Sequence, residues 1–250
     1  MTEALYLVKV PLLAERLASV ARRKHVPLRD MDEGYLAHCV MRELWHDHAP
    51  APFVLRGRGR VLEAWGYSCC PAATLVGHTR VLGAGAAVAI ADLDAIASKA
   101  VPRFDTGRRL GFLLRACPVV RLAAATHGHK AGAEVDAFLA RCFSLDANVA
   151  VSREAVYREW LTSRLGNETT GARVQEVRIA AMSRERVVRR TQGDDRTPRR
   201  LERPDVRFEG TLVVTDTERF LDCLAHGVGR HRAFGFGALM LVPPGTSFPR

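Results

Sequence analysis

The order of apolar patterns in the N-terminal part of this chain constrains its fold more than any other feature. Leu5-Tyr6-Leu7-Val8-Lys9-Val10 is a short, partly β-branched run of strand character, and residues 33–47 follow with helical spacing. Two more strand-like segments, 53–56 and 60–68, are joined by Gly57-Arg58-Gly59, a hairpin signal. Residues 72–80 read as a second, short helix and 86–90 as a closing strand. The resulting order, β-α-β-β-α-β, is the split β-α-β plan of a ferredoxin-like (RRM-like) domain spanning 1–101.

After a break at Pro102–Gly107 the plan restarts, which predicts a second α+β domain over 108–250. Its first strand is Leu110–Ala116. Helices are expected at Ala133–Phe143 and at Ser152–Leu165, the latter capped by Ser152. Residues 173–182 and 207–214 alternate as strands, Thr215 is placed to cap a helix from Asp216 to Ala225, and Phe236–Val242 closes the sheet. The expected fold class is thus α+β, two tandem ferredoxin-like domains. No sequence identity links the two halves.

Between the two late strands, the stretch 184–207 carries Arg184, Arg186, Arg189, Arg190, Arg196, Arg199, Arg200, Arg203 and Arg207, with Gly193, Pro198 and Pro204 as breakers. With few apolar anchors it cannot bury itself. It reads as a projecting hairpin or helical arm, or as a segment ordered by a partner. A solvated charged loop is the plain alternative, but arginines outnumber the carboxylates Glu185, Asp194, Asp195, Glu202 and Asp205, which favours a phosphate clamp.

The whole chain shares this bias. It has 37 Lys+Arg against 27 Asp+Glu, a net charge of +10 and a pI near 9.9, which suits RNA, DNA or an anionic membrane face. Only Lys9, Lys24, Lys99 and Lys130 are lysines. That ratio fits bidentate phosphate binding by arginine, and equally a GC-rich genome. The N-terminus lacks the regions of a secretion signal, and Asp92 and Asp94 interrupt the alanine-rich stretch 84–98, so no membrane span and a cytoplasmic location are expected. The six cysteines form no CxxC pair, and the neighbours Cys69 and Cys70 look like poor partners for a metal or for each other.

Near the C-terminus, Gly227-Val228-Gly229-Arg230-His231-Arg232-Ala233-Phe234-Gly235-Phe236-Gly237 sets glycines among three basic side chains. Glycine supplies positive φ and lets backbone approach a phosphate chain, while Arg230, His231 and Arg232 supply charge. On the helix 33–47, Leu36, Ala37, Val40, Met41 and Leu44 form a core face, and Tyr35, His38 and Arg42 fall together on the other side. An imidazole, a phenol and a guanidinium in one row can take a proton, orient a hydroxyl and hold an anion, although three unrelated surface residues give the same pattern. Arg22-Arg23-Lys24-His25 adds positive charge just before this helix, either toward the same phosphate or as a solvated helix end.

No cofactor motif is present. Gly83-Ala84-Gly85 lacks the setting of a dinucleotide site, no GxxxxGK[ST] occurs, and Ser68 and Ser163 have no nucleophile elbow. His46 with His48, and His127 with His129, have spacings a metal could use on a strand but are read as surface histidines lacking nearby Cys or carboxylate companions, so no metal site is expected.

Taken together, these residues resemble the CRISPR-associated endoribonucleases that process precursor crRNA, most closely the CasE branch of type I-E systems. The arginine-rich processing nuclease of type IV systems is a related possibility. The resemblance rests on the strand Leu5–Val10, the helix with Tyr35-x-x-His38, Phe112–Val120, Val156–Leu161, Phe208–Asp216 and the glycine loop. It implies two ferredoxin-like domains that grip a repeat stem-loop and cut at its 3′ base without metal or cofactor. His38 would act as general base or acid, Tyr35 would orient, and Arg42 or Arg23 with Lys24 would meet the phosphorane charge. Arg22, the arm and the loop Gly227, Gly229, Arg230, His231, Arg232, Gly235 and Gly237 would bind RNA. The implied partners are crRNA and other effector-complex subunits. His38 lies later in the chain than the catalytic histidine of typical relatives, after an extra stretch around Ala18 to Asp30, so arginines are an alternative for its role. A non-catalytic RNA scaffold and a DNA-binding regulator are competing readings. Reversing the charge of Arg189, Arg190, Arg199 and Arg200 is expected to weaken stem-loop binding and flatten its dependence on salt; an unchanged slope in a salt titration rejects the arm as a clamp.

Overall fold

The computed structural model describes residues 4–23, 32–57, 59–82, 85–145, 149–190 and 198–248. Strand β1 (Tyr6–Leu13) sends Val8, Val10 and Leu12 fully out of solvent on one face. It runs directly into helix α1 (Ala14–Arg23), which the sequence reading did not foresee and which buries Leu17, Val20 and Ala21 at spacings of three and four. Helix α2 (Glu33–Trp45) begins at Asp32, whose carboxylate accepts the Tyr35 backbone N–H at 2.9 Å. Its buried face contains Leu36, Ala37, Val40, Met41 and Leu44, as the spacing predicts.

The N-terminal half continues with β2 (Phe53–Arg56), β3 (Val61–Ser68), α3 (Ala72–Leu82), the single turn α4 (Gly85–Val88) and β4 (Ala97–Ala100). The four strands form one antiparallel sheet in the order β2-β3-β1-β4. The expected strand at 86–90 is a correction: α4 occupies part of it, with Ala87 and Ile90 buried among the helices. The closing strand lies further on at β4, whose residues are all exposed and pair only with β1.

The C-terminal half holds β5 (Arg109–Ala116), β6 (Val119–Arg121), β7 (Glu134–Asp136), α5 (Ala137–Phe143), α6 (Arg153–Leu165), β8 (Ala172–Arg190), β9 (Pro198–Val214), α7 (Thr217–His226) and β10 (Leu239–Val242). Its main sheet, β10-β5-β9-β8, repeats the order of the first, each in effect 4-1-3-2 within its half. Ser152 caps α6 as expected. Three boundaries move. Glu134 to Asp136 pair with β6 instead of opening a helix, the closing strand starts at Leu239, and Asp216, not Thr215, caps α7 by accepting the Arg219 N–H at 3.0 Å.

Each sheet keeps its helices on one side, and the helix-free faces meet. Leu7, Val54 and Trp65 pack on Leu113, Ala238 and Met240. The Tyr67 hydroxyl donates to the Leu239 carbonyl at 2.6 Å, and its ring joins the C-terminal core.

Of the readings of the arginine-rich stretch the projecting hairpin holds, and its described residues continue the two late strands directly. β5 ends at Ala116 opposite Val206, while β8 and β9 stay paired out to Arg190 opposite Pro198. From Asp205 outward the hairpin is a two-stranded ribbon beyond the sheet, and register shifts at Val174/Glu176 and Ile179/Ala181 bend its root. Asp216→Ala is expected to cost about 1 kcal/mol and lower Tm by roughly 2–4 °C, while Thr215→Ala leaves the melt nearly unchanged; equal losses in thermal denaturation would restore Thr215 as the cap.

Candidate nucleic-acid interface and catalytic helix

The glycine loop follows α7 and closes on itself: Val228 N–H donates to Gly237 O at 2.9 Å, and Gly237 N–H to Arg115 O at 2.8 Å. Gly227, Gly229, Gly235 and Gly237 all have positive φ. Protein packing also demands two of them. A Cβ on Gly227 would stand 2.6 Å from the Pro52 ring, and one on Gly229 would stand 2.9 Å from the Trp160 indole. The glycines therefore seat the loop against the protein as well as leaving backbone open.

The turn Arg232–Phe234 carries the loop onto α2. Phe234 stacks on Tyr35 with ring centroids 5.6 Å apart and 24° between planes. At Gly34 a Cβ would run into the Phe234 carbonyl, so this helical glycine permits the docking. Loop and helix, far apart in sequence, thus form one surface.

Beneath the loop lies Glu134, which the sequence reading did not single out. Its carboxylate pairs with Arg230 Nε at 2.6 Å, His231 Nε2 at 2.6 Å and an Arg203 terminal nitrogen at 3.2 Å, while Arg203 also donates to the Glu134 carbonyl at 3.3 Å. Burial opposes ionisation of Glu134. The His231 hydrogen bond and the His231, Arg203 and Arg230 charges overcome it and hold the carboxyl at about 2. Arg203, expected as part of a phosphate clamp, is instead turned inward and only 12% exposed. Arg115 and Asp205 form a second anchor at the ribbon's root, with bidentate contacts of 3.0 Å and the guanidinium 4.4 Å from the Phe236 ring.

Tyr35, His38 and Arg42 do share a side of α2, but not as an open row. Tyr35 and His38 are half-buried. Burial, then the positive charge of Arg42, pushes the His38 imidazole below its ordinary 6.5. Arg42 is exposed and donates to His46 O at 2.8 Å and Asp47 Oδ1 at 2.7 Å. Arg23, at the end of α1, pairs with Glu43 at 3.5 Å, and Arg22 is exposed beside it. On the ribbon, Arg184 pairs with Glu202 at 3.6 Å, and Arg186, Arg189, Arg190, Arg199 and Arg200 fall within its strands. Lys24 and Arg196 lie outside the described residues.

A cleft of about 790 Å³ opens between the loop, the end of α6 and the turn Asn167–Thr170; Arg121, Arg164, Arg230 and Arg232 line it along with the largely buried Trp160. Such a surface attracts phosphate. One further expectation is corrected. His48 does have companions, since its Nδ1 stands 3.5 Å from Cys69 Sγ, which is 3.9 Å from Cys70 Sγ.

The two matching sheets, the basic ribbon and the glycine loop docked on α2 define a tandem ferredoxin-like protein. The chain belongs to the CRISPR associated protein family, whose pattern matches residues 5–243. It is 33% identical over 148 residues to the CRISPR-associated endoribonuclease Cse3 of Thermus thermophilus, a match covering 57% of this chain and 59% of that protein's length. A solved structure of CRISPR endoribonuclease Cse3 bound to a 19-nucleotide RNA is 27% identical with a TM-score of 0.62, covering 96% of this chain and all of that one. The CRISPR-associated protein Cas6e from Escherichia coli K-12 shares the fold at 20% identity and a TM-score of 0.56, over 95% of this chain and 99% of its own.

A carboxyl whose folded-state pKa is depressed stabilises the fold above its ordinary value and loses that contribution as pH falls through the folded one. For Glu134 the window runs from 4.5 down to about 2. Glu134→Gln is therefore expected to be less stable than wild type at neutral pH and to lose less Tm on acidification across that window; identical acid slopes would remove Glu134 as the anchor.

Proposed function

We propose that this protein is an endoribonuclease that binds the repeat stem-loop of precursor crRNA, cuts it at the 3′ base of the stem, and stays bound to the product within a multi-subunit effector complex. What carries the reading is a half-buried histidine held below its ordinary pKa on the helix that the glycine loop docks onto. The RNA bound to the 27%-identical relative and this chain's net charge of +10 support RNA as the ligand.

A neutral imidazole at physiological pH is suited to accept a proton. His38 takes the proton of the ribose 2′-hydroxyl, the 2′-oxygen attacks the adjacent phosphorus, and the P–O5′ bond breaks as the 5′-oxygen takes a proton from water, giving a 2′,3′-cyclic phosphate and a 5′-hydroxyl. The chemistry uses no metal. Tyr35, fixed against Phe234, orients the reacting group. Arg42, engaged with Asp47, serves chiefly to keep His38 deprotonated. Arg23, whose exposed pair with Glu43 is weak in water, meets the phosphorane charge with Lys24. Stem recognition rests on phosphate and shape, because side chains do not read the narrow major groove of A-form RNA. The ribbon lies along the stem, with Arg230 and Arg232 at the glycine loop.

A repeat with a 2′-deoxy sugar at the cut site is expected to bind without being cut, and the all-ribose repeat to be cut in EDTA; failure to cut under both conditions leaves a non-catalytic scaffold. His38→Ala should slow single-turnover cleavage by about 10²–10⁴-fold. With His38 as base, the second-order rate constant rises with pH through a midpoint below 6.5 and then levels, and Arg42→Gln moves that midpoint upward. A rate that falls with pH in this range would make His38 the acid instead.

A further inference from the structure

We propose that His48, Cys69, Cys70 and His78 form a site for a thiophilic divalent cation, with Zn²⁺ as the occupant. The site lies where the His46–His48 turn after α2, the end of β3 and helix α3 converge. Nδ1 of His48 is 3.5 Å from Cys69 Sγ, the two sulfurs are 3.9 Å apart, and all three ligand atoms lie within 4.8 Å of one another. A tetrahedral zinc ion, with Zn–S of about 2.3 Å and Zn–N of about 2.0 Å, sets S···S edges of about 3.8 Å and S···N edges of about 3.6 Å. The observed 3.9 Å between sulfurs and 3.5 Å from nitrogen to sulfur match these two edges, and the third separation lies within 4.8 Å.

Adjacent strand residues point to opposite faces, which argues against paired ligation by Cys69 and Cys70. Here the strand ends at Ser68 and the chain bends, so both sulfurs come to one side. Buried Ser68 fixes that bend from outside the ligand set. Its hydroxyl donates to His48 O at 2.8 Å and accepts the Cys70 N–H at 3.0 Å, tying the backbones of the nitrogen and sulfur donors together. His78 on α3 sets its ring centroid 6.0 Å from that of His48, tilted by 59°; it stands outside the three-residue cluster and would supply the fourth donor by turning its side chain inward. Two cysteines with two histidines are a soft N/S set that favours zinc over calcium or magnesium. On binding, each thiol releases its proton to solvent, both histidines bind as neutral imidazole, and the two thiolates balance the charge of the ion. The ion would pin the end of the candidate catalytic helix to the sheet. It takes no part in the chemistry assigned to His38.

The full-length chain, purified with chelator and a phosphine reductant, would be titrated with Co²⁺ and then with Zn²⁺. The expected result is one Co²⁺ per chain, with sulfur-to-cobalt charge-transfer bands and the intense visible bands of a tetrahedral ion, displaced by one equivalent of Zn²⁺. Zinc at about a hundredfold excess over Kd should raise Tm by roughly 5–10 °C. Cys69→Ser and Cys70→Ser should each at least halve the charge-transfer intensity. His48→Ala should weaken binding at least tenfold, as should His78→Ala. Absent bands in the wild type, or bands undiminished in either serine variant, would overturn the site, and undiminished affinity in His78→Ala would remove that residue from it. Should a variant fold poorly, the wild-type chain alone still decides: bound Zn²⁺ must slow thiol-disulfide exchange at Cys69 and Cys70 with an aromatic disulfide reagent, and unchanged reactivity sinks the proposal.

Discussion

The ion cluster around Glu134 is the constraint on which the arrangement of the C-terminal half depends. One carboxylate on a three-residue strand meets a guanidinium from the ribbon, a guanidinium and an imidazole from the glycine loop, and holds all three within 3.2 Å. Separately, the two guanidinium groups would repel one another. Their shared carboxylate fixes where the loop lies, and the loop in turn places Phe234 on Tyr35. Arg115 and Asp205 repeat the device at the other side of the ribbon's root, and Gly237 hangs from the Arg115 carbonyl. The electrostatics closest to the candidate site thus serve first to build it.

The two halves reach one topology with different emphases. In the first, the sheet backs helices α1, α2 and α3, and its closing strand is a short, exposed edge. In the second, the hairpin strands outgrow the sheet. Helix α2 and the glycine loop belong to different halves, so the surface that unites them exists only because the two sheets pack face to face, with small side chains at Gly34 and Gly227 where backbone meets its neighbour.

Much of this was legible in the residues. The buried stripe of α2 follows its helical spacing, the hairpin at Gly57 and Gly59 follows its turn chemistry, and the density of arginine marked the ribbon. What escaped had physical reasons. Helix α1 starts directly after β1 with no turn residue between them, and Ala87 and Ile90 are as apolar as a strand because they are buried against α2's neighbours, while the true edge strand, Ala97–Ala100, has no apolar face to betray it. Glu134 could not be singled out, since its partners arrive from 69 and 97 positions away. Arg115 left a fainter trace as the one charge inside the apolar run Leu110–Ala116. His48 and Cys69 meet across 21 residues because a strand end and a helix-terminal turn converge, which no local spacing reports.

Outward from Asp205 the ribbon has no third strand on either side among the described residues, so its outer backbone amides and carbonyls are open to pairing. Exposed β-edges of this kind invite a second chain to zip alongside. The excess of arginine in the sequence of both strands sets copies of the chain to repel one another. Charge that readies the ribbon for an anionic ligand therefore also guards it against its own kind, and neutralising it would leave a sticky edge behind.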